Sequence, residues 1–166
     1  MSEQLMDQWS LTDVSDRIKA MGAVIIANLD DDGYLRSEFK EIADRADQSI
    51  KALDATEADW ELALQAVQLL LEPAGVAARD ARECLLLQID ALGDRAGEDD
   101  DDRMSVDPNA LGVARTLVAE YFEELMKNRL PKVAARSGLS LDEINVGLDL
   151  LRRLSLSPAP IGGRRA

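Results

Sequence analysis

The chain has 166 residues, 46% of them hydrophobic and only 4% aromatic, and a formal net charge of −13. This length suits one compact domain or two small subdomains, and the predominance of Leu, Ala, Asp, Glu and Arg favours helix. With no histidine and Cys84 as the single cysteine, zinc sites, histidine-based triads and an intrachain disulfide are excluded by inventory.

The opening decapeptide, MSEQLMDQWS, is acidic and has no apolar signal core, and no run of about eighteen apolar residues follows it. A cytoplasmic chain without a membrane partner is the expectation. Val14, Ile18, Met21 and Ile25 then recur at helical spacing, with Thr12 or Asp13 as the cap. The helix ends in NLDDDGYLRSEF, residues 28–39, which has two readings. Counted from Asn28, Asp30 and Asp32 take the third and fifth positions of a calcium loop, Gly33 the sixth and Tyr34 the seventh. The twelfth position, where calcium needs a bidentate glutamate, is Phe39, and Glu38 is one residue out of register. The other reading is a helix stop and a turn. Gly33 takes positive φ, Asp30, Asp31 and Asp32 stay in solvent, and Tyr34 and Leu35 re-enter the core. The missing ligand favours the turn, and no cofactor is expected.

A short helix is predicted from about Ser37 to Gln48, with Phe39, Ile42 and Ala46 on one side. DATEADW starts another, with Thr56 and Asp59 as a capping box and Trp60, Leu64, Val67 and Leu71 as its apolar stripe. Pro73 and Gly75 break the chain in LEPAGVAARD. The helix RDARECLLLQIDAL that follows is apolar around more than half its circumference, which makes Cys84 a core filler rather than a catalytic thiol. Arg79 and Glu83 are spaced to pair along it.

GDRAGEDDDDRMS marks a break in charge. Residues 1–102 hold 9 Lys/Arg against 25 Asp/Glu, a net of −16, whereas residues 103–166 hold 10 against 7, a net of +3. Two helical subdomains are therefore expected, residues 1–93 and 106–166, joined by an exposed acidic loop over residues 94–105. The acidic part repels nucleic-acid phosphates; it either serves solubility or suits a basic protein surface. Asp107 caps the next helix with Pro108 in its first turn. Its seam runs Leu111, Ala114, Val118, Tyr121 and Leu125, widened by Leu117, Phe122 and Met126. No strand alternation competes anywhere, so the fold is all-α.

The last segment, LPKVAARSGLSLDEINVGLDLLRRL, reads as a short helix, the turn SGLS and a second helix capped by Ser140 with Glu143, a helix-turn-helix-like unit. In a DNA reader the start of the second helix meets bases and phosphates. Here it opens with Leu141, Asp142 and Glu143, and Asn145 is the one residue suited to base reading. The competing reading is a packing unit with Leu141, Ile144, Leu148 and Leu151 facing the core, and the two carboxylates favour it.

IIANLDDDGYL and, some forty residues on, VQLLLEPAGVAARDARECLLLQI together resemble the core-binding region of sigma-54, the alternative bacterial RNA polymerase sigma factor. In that family the first stretch reads close to I-I-x-N-L-D-D-D-G-Y-L and the second close to V-Q-x-L-D-P-P-G-V-G-A-R-D-L-R-E-C-L-L-L-Q-L. The matching positions are Asn28, Leu29, Asp30, Asp31, Asp32, Gly33, Tyr34 and Leu35 in the first. In the second they include Pro73, Gly75, Val76, Arg79, Asp80, Arg82, Glu83 and Cys84. LPKVAARSGLSLDEI and LSPAPIGG sit where the family has a short helical unit and an L-N-P-x-P-G-like ending, so the resemblance runs from about Leu11 to Gly162. Ala74, Ala77 and Ala81 depart from it, standing where the family often has Pro, Gly and Leu, and Ile161 is additional.

The resemblance implies an all-α scaffold that binds core RNA polymerase, with the aspartate-rich turn joining two helices rather than holding metal. The family's glutamine-rich activator-contacting segment and its promoter-reading C-terminal box do not match anything here. A central fragment or partial copy is expected, keeping polymerase attachment without strong DNA binding of its own. The residues alone leave a second class open, a free-standing helix-turn-helix DNA-binding regulator built on residues 130–154. No catalytic constellation or phosphate-cradling loop is present, so neither enzymatic activity nor a small-molecule substrate is expected.

Overall fold

The computed structural model describes residues 2–96 and 107–154, and these are all-α. The helices are α1 (Ser2–Ser10), α2 (Asp16–Ala27), α3 (Phe39–Arg45), α4 (Gln48–Lys51), α5 (Glu57–Leu70), α6 (Ala81–Ala96), α7 (Pro108–Met126), α8 (Leu130–Ser137) and α9 (Leu141–Leu151). They form two compact units that divide within α6, between Cys84 and Leu85. Helix α6 continues through Ala96, so residues 94–96, expected in the acidic loop, are helical. The remainder of that loop, residues 97–106, and the closing LSPAPIGG lie outside the described residues.

In the first unit α2 and α5 pack together, and their inner faces bury Met21, Ile25, Ile26, Leu64 and Val67. Helix α1, which the sequence reading did not anticipate, lays Leu5 and Trp9 on α2. Gly22 makes room for this: a Cβ there would fall inside the contact distance of the Trp9 ring, with Cε2 only 2.6 Å away. The Trp9 indole N–H donates to the Lys19 carbonyl at 2.9 Å, and the Lys19 ammonium donates back to the Trp9 carbonyl at 2.9 Å. Removing a ring buried this fully typically costs about 3–5 kcal/mol. Thr12 is drawn into the same knot, its hydroxyl donating to the Trp9 carbonyl, so Ser15 caps α2 instead of Thr12 or Asp13. The helix predicted over about 37–48 spans only Phe39–Arg45 as α3, because Asp47 leaves helical geometry and caps a separate short α4 by accepting from the Ile50 N–H.

In the second unit α8 and α9 pack on α7. Val113, Leu117, Val133 and Ile144 form one cluster, and Leu85, Ile89, Ala114, Val118 and Leu150 form another. Gly147 lets α9 approach α7 closely, since a Cβ there would lie 2.7 Å from Val113 Cγ1. The expected caps are present: Asp107 with Pro108 on α7, and the Ser140–Glu143 capping box on α9. Two seam positions differ from expectation. Helix α7 is kinked at Tyr121, and Met126 beyond the kink is exposed. Leu141, at the first position of α9, is 51% exposed, while Ile144 carries the contact expected of both.

Candidate functional site

The two stretches that carry the family resemblance are far apart in sequence and meet in the first unit. The earlier one leaves α2 at Asn28, whose side-chain amide donates to the Val24 carbonyl at 2.8 Å and whose oxygen accepts from Arg45 at 3.0 Å. Leu29 packs on the core. The chain then reverses: the Gly33 N–H donates to the Asp30 carbonyl and the Asp30 N–H to the Tyr34 carbonyl, with Gly33 at φ +88°. Tyr34 and Leu35 return to the core as expected, and Asp31 stays in solvent.

Asp30 and Asp32 are not simply solvated. Arg36 donates to Asp30 at 2.7 Å and grips both oxygens of Asp32, at 3.0 and 2.7 Å. Its guanidinium also lies over the Tyr34 ring, 4.9 Å from the centroid. The carboxylates that a calcium loop would aim at an ion are thus aimed at an arginine of the same turn. The Arg36 hydrogen bonds hold the Asp32 carboxyl below its ordinary range, and Asp32 in turn raises the guanidinium. A bidentate pairing of this kind fixes geometry as well as charge.

The later stretch begins at Pro73, exposed beyond the end of α5, and turns at Gly75 with φ +101°. Val76, Ala77 and Ala78 are fully buried. Two backbone hydrogen bonds, both 2.9 Å, join the stretches: Ala77 N–H to the Gly33 carbonyl, and Leu35 N–H to the Ala78 carbonyl. The side chain of Gln68, the single buried polar residue among those described, donates to the Ala77 carbonyl at 3.1 Å and to Glu83 at 3.2 Å. Asp80 then caps α6 by accepting from the Glu83 N–H at 2.8 Å.

Arg79 and Glu83 do pair, but Arg79 sits before α6 and not along it. Its backbone N–H and guanidinium both donate to Glu83, and the guanidinium continues to Glu61 on α5 at 3.0 Å. Burial alone would push the Glu83 carboxyl up, but the hydrogen bonds from Arg79 outweigh it and the carboxyl ends below its ordinary value. Arg82 is exposed on the first turn of α6. Cys84 is fully buried and hydrogen-bonded with Tyr34, whose phenol burial pushes up to about 12, with the thiol contributing further.

Of the sixteen motif positions, then, Gly33 and Leu35 bond through their backbones to Ala77 and Ala78, two residues outside the sixteen that lie in the turn begun by Gly75 and Val76. Asp30 and Asp32 belong to the adjoining charged turn, and Arg79, Asp80 and Glu83 close the start of α6. Arg36 and Gln68 are the members that sequence reading passed over. Arg36 stands four and six residues from its acids. Gln68 interrupts an otherwise apolar face one turn beyond Leu64. An open cleft of about 840 Å³ borders the junction, lined by Arg36, Phe39, Trp60, Glu61 and Arg79 among others.

The first unit is thus an all-α fold organised by two mutually bonded turns, with Arg17, Arg36 and Arg79 each paired to acidic side chains around them. The chain belongs to the family described as "Sigma-54 factor, core binding domain", whose model matches residues 1–164. It is 31% identical over 158 residues to the RNA polymerase sigma-54 factor of Pseudomonas aeruginosa, covering 95% of this chain and 29% of that protein. The RNA polymerase sigma-54 factor of Azotobacter vinelandii is 29% identical over 161 residues, covering 96% of this chain and 28% of the relative. For that of Bacillus subtilis the figures are 31% over 120 residues, 72% and 22%. The chain therefore spans less than a third of the length of these relatives.

Proposed function

We propose that this chain is the module by which a sigma-54 type factor attaches to core RNA polymerase, and that it is a binding scaffold rather than an enzyme. The family match across residues 1–164 carries the reading. The paired-turn junction supports it, because it gives the motif residues a defined structural task with no catalytic chemistry. Among the described residues no helix is long and apolar enough to cross a membrane, which is consistent with work in the cytoplasm beside the polymerase.

The same reading holds that the chain does not bind promoter DNA strongly by itself. Its net charge of −13 opposes a polyanion. The start of α9 presents Asp142 and Glu143, and Glu143 is spent on the capping box. Residues 129–153 supply the cations Arg129, Lys132, Arg136, Arg152 and Arg153, and two of them are engaged: Arg136 with Glu124 at 2.9 Å and Arg152 with Asp149 at 2.6 Å. Arg129, Lys132 and Arg153 would supply only a weak, salt-sensitive affinity, each phosphate contact adding about 0.9 to the salt slope. The test is to mix the purified chain with core polymerase and, separately, with a sigma-54 type promoter duplex near physiological salt. Stable co-elution with the polymerase alone is expected. Submicromolar, sequence-selective DNA binding without polymerase would overturn the reading in favour of a free-standing regulator.

A further inference from the structure

Helix α5 carries leucines on both sides. Its core face is formed by Trp60, Leu64, Val67 and Leu71, but the opposite face carries Ala58, Leu62, Gln65 and Leu69. These four recur at helical spacing, so they form one stripe pointing directly away from the core. Leu62 is 58% exposed, Leu69 75%, and the neighbouring Leu70 48%. In a chain that is 31% charged, the ten residues from Leu62 to Leu71 hold no charge at all. Isolated surface leucines need no explanation, whereas a contiguous uncharged stripe on a charged domain marks a contact surface.

We propose that the outer face of α5, centred on Leu62 and Leu69, is a docking surface for a protein partner with an apolar centre and a cationic rim. The proposal rests on the reading above, in which that partner is core RNA polymerase. The charges choose the partner's chemistry. Helix α5 contains Glu57, Asp59 and Glu61 and no Lys or Arg, and Glu72 follows directly after the stripe. Arg17 and Arg79 engage Asp59 and Glu61, leaving Glu57 and Glu72 exposed at the two ends. Residues 1–84 of the same unit hold 8 Lys/Arg against 18 Asp/Glu, a net of −10, so a second copy docked here would bring two acidic surfaces together. An anionic lipid surface meets the same repulsion. A complementary partner places apolar side chains over the leucines and lysines or arginines beyond the ends of the stripe.

The test compares the 166-residue chain with Leu62→Gln/Leu69→Gln, with Leu69→Gln alone, and with a control on α9, Leu141→Gln/Val146→Gln. Binding to purified core polymerase is measured by fluorescence anisotropy at several salt concentrations, and melting is followed in parallel. The double α5 variant should melt like the parent yet bind about tenfold or more weakly, since each decade corresponds to about 1.4 kcal/mol. Leu69→Gln should lose an intermediate part, the α9 control should bind like the parent, and binding should weaken as salt rises. If the parent binds and the α5 variants bind equally well, this inference is wrong while the proposed function stands. If the parent itself fails to bind, the proposed function falls and takes this surface with it. A parent chain that sediments as a dimer, made monomeric by the α5 changes, would overturn the choice of partner in favour of a second copy.

Discussion

In the first unit, two connections between helices are bonded to each other. Gly33 and Leu35 meet Ala77 and Ala78 through their backbones, and Gln68 reaches from α5 to hold the second turn from behind. In the second unit the described connection between α8 and α9 looks after itself. Gly138 ends α8 with φ +80°, Ser140 begins α9, and neither needs a distant segment to hold it. A self-contained turn specifies a helix end and little more. A pair of turns that satisfy one another's backbone groups ties residues some forty positions apart, and then particular residues are demanded at both. This is why the sixteen matched motif positions fall in the first unit, whereas the second is described mainly by caps and apolar spacing.

Two glycines with positive φ give the sharpest way to break this comparison. Gly75→Val places a β-branched residue at φ +101° inside the bonded junction and should destabilise the chain by about 1–3 kcal/mol. Gly138→Ala imposes strain alone, because a Cβ there meets nothing within 4 Å, and should cost about 1 kcal/mol. Urea melts of the two variants test the difference. Equal losses, or a Gly75→Val that melts like the parent, would mean that the paired turns are no more demanding than a helix end.

The next largest effect concerns the side chains that satisfy backbone groups. Gln68→Leu keeps the volume but leaves the buried Ala77 carbonyl without its donor, for an expected loss of about 1–2 kcal/mol. The matching change in the second unit, Ser140→Ala, removes a cap at the surface and should cost about 1 kcal/mol. Near-ultraviolet dichroism adds a qualitative check, since Tyr34 lies in the first junction. Its signal should change in Gln68→Leu and stay unchanged in Ser140→Ala.

The capping boxes at Thr56 and Ser140 and the Asp107–Pro108 start were legible in the sequence because each depends on neighbours within one helical turn, and the burial of Cys84 because its helix is apolar around most of its circumference. What was not legible depends on partners from elsewhere. Helix α1 has only Leu5 and Trp9 facing inward, and it is held by the space that Gly22 leaves on α2. Spacing assigned Leu141 to the core, but an apolar residue at the first position of a helix has no preceding turn to align it. The Arg36 clamp illustrates a third kind of miss. Three acids in a row have the spacing of metal ligands, but Arg36, within the same residues 28–39, pairs with two of them.

Acid should act on the first unit through a named set of groups. The Asp32 carboxyl is lowered by Arg36, the Asp59 carboxyl by the Thr56 backbone and then Arg17, and the Glu83 carboxyl by Arg79 against its own burial. Each therefore releases its proton more readily in the folded state than in the unfolded one. Their stabilisation is complete above the unfolded values of 3.8 for aspartate and 4.5 for glutamate, and it is lost as pH falls through the lower folded values. Both tryptophans of the chain, Trp9 and Trp60, lie in the first unit, so their fluorescence reports its melting alone. Melting temperature by this probe should drop as pH is taken below 4.5. Glu83→Gln should be less stable at neutral pH and show a shallower acid dependence. A variant with the parent's slope would remove Glu83 from the set.

The smallest expected effect is that of Ala77→Gly, and its smallness is the point. Ala77 has φ +69°, a region that favours glycine, in a stretch where the family pattern often has glycine. Relief of that strain by Ala77→Gly is worth about 1 kcal/mol. Against it stand the freedom that glycine gains in the unfolded chain, about 0.4–1 kcal/mol, and the loss of a fully buried methyl, about 0.8 kcal/mol. The terms nearly cancel, so the net change should lie within about 0.5–1 kcal/mol of zero, tilted toward loss. Ala77→Val adds bulk to the same strained backbone and should cost at least as much as Gly75→Val. Urea melts of the two side by side separate packing from backbone. If Ala77→Gly stabilised the chain by more than about 1.5 kcal/mol, the backbone would be paying the larger share of this junction's strain and the buried methyl would be dispensable. If it destabilised by more than about 2 kcal/mol, the methyl would be a packing element in its own right, and the junction would depend on side-chain fit as much as the helices of the second unit do.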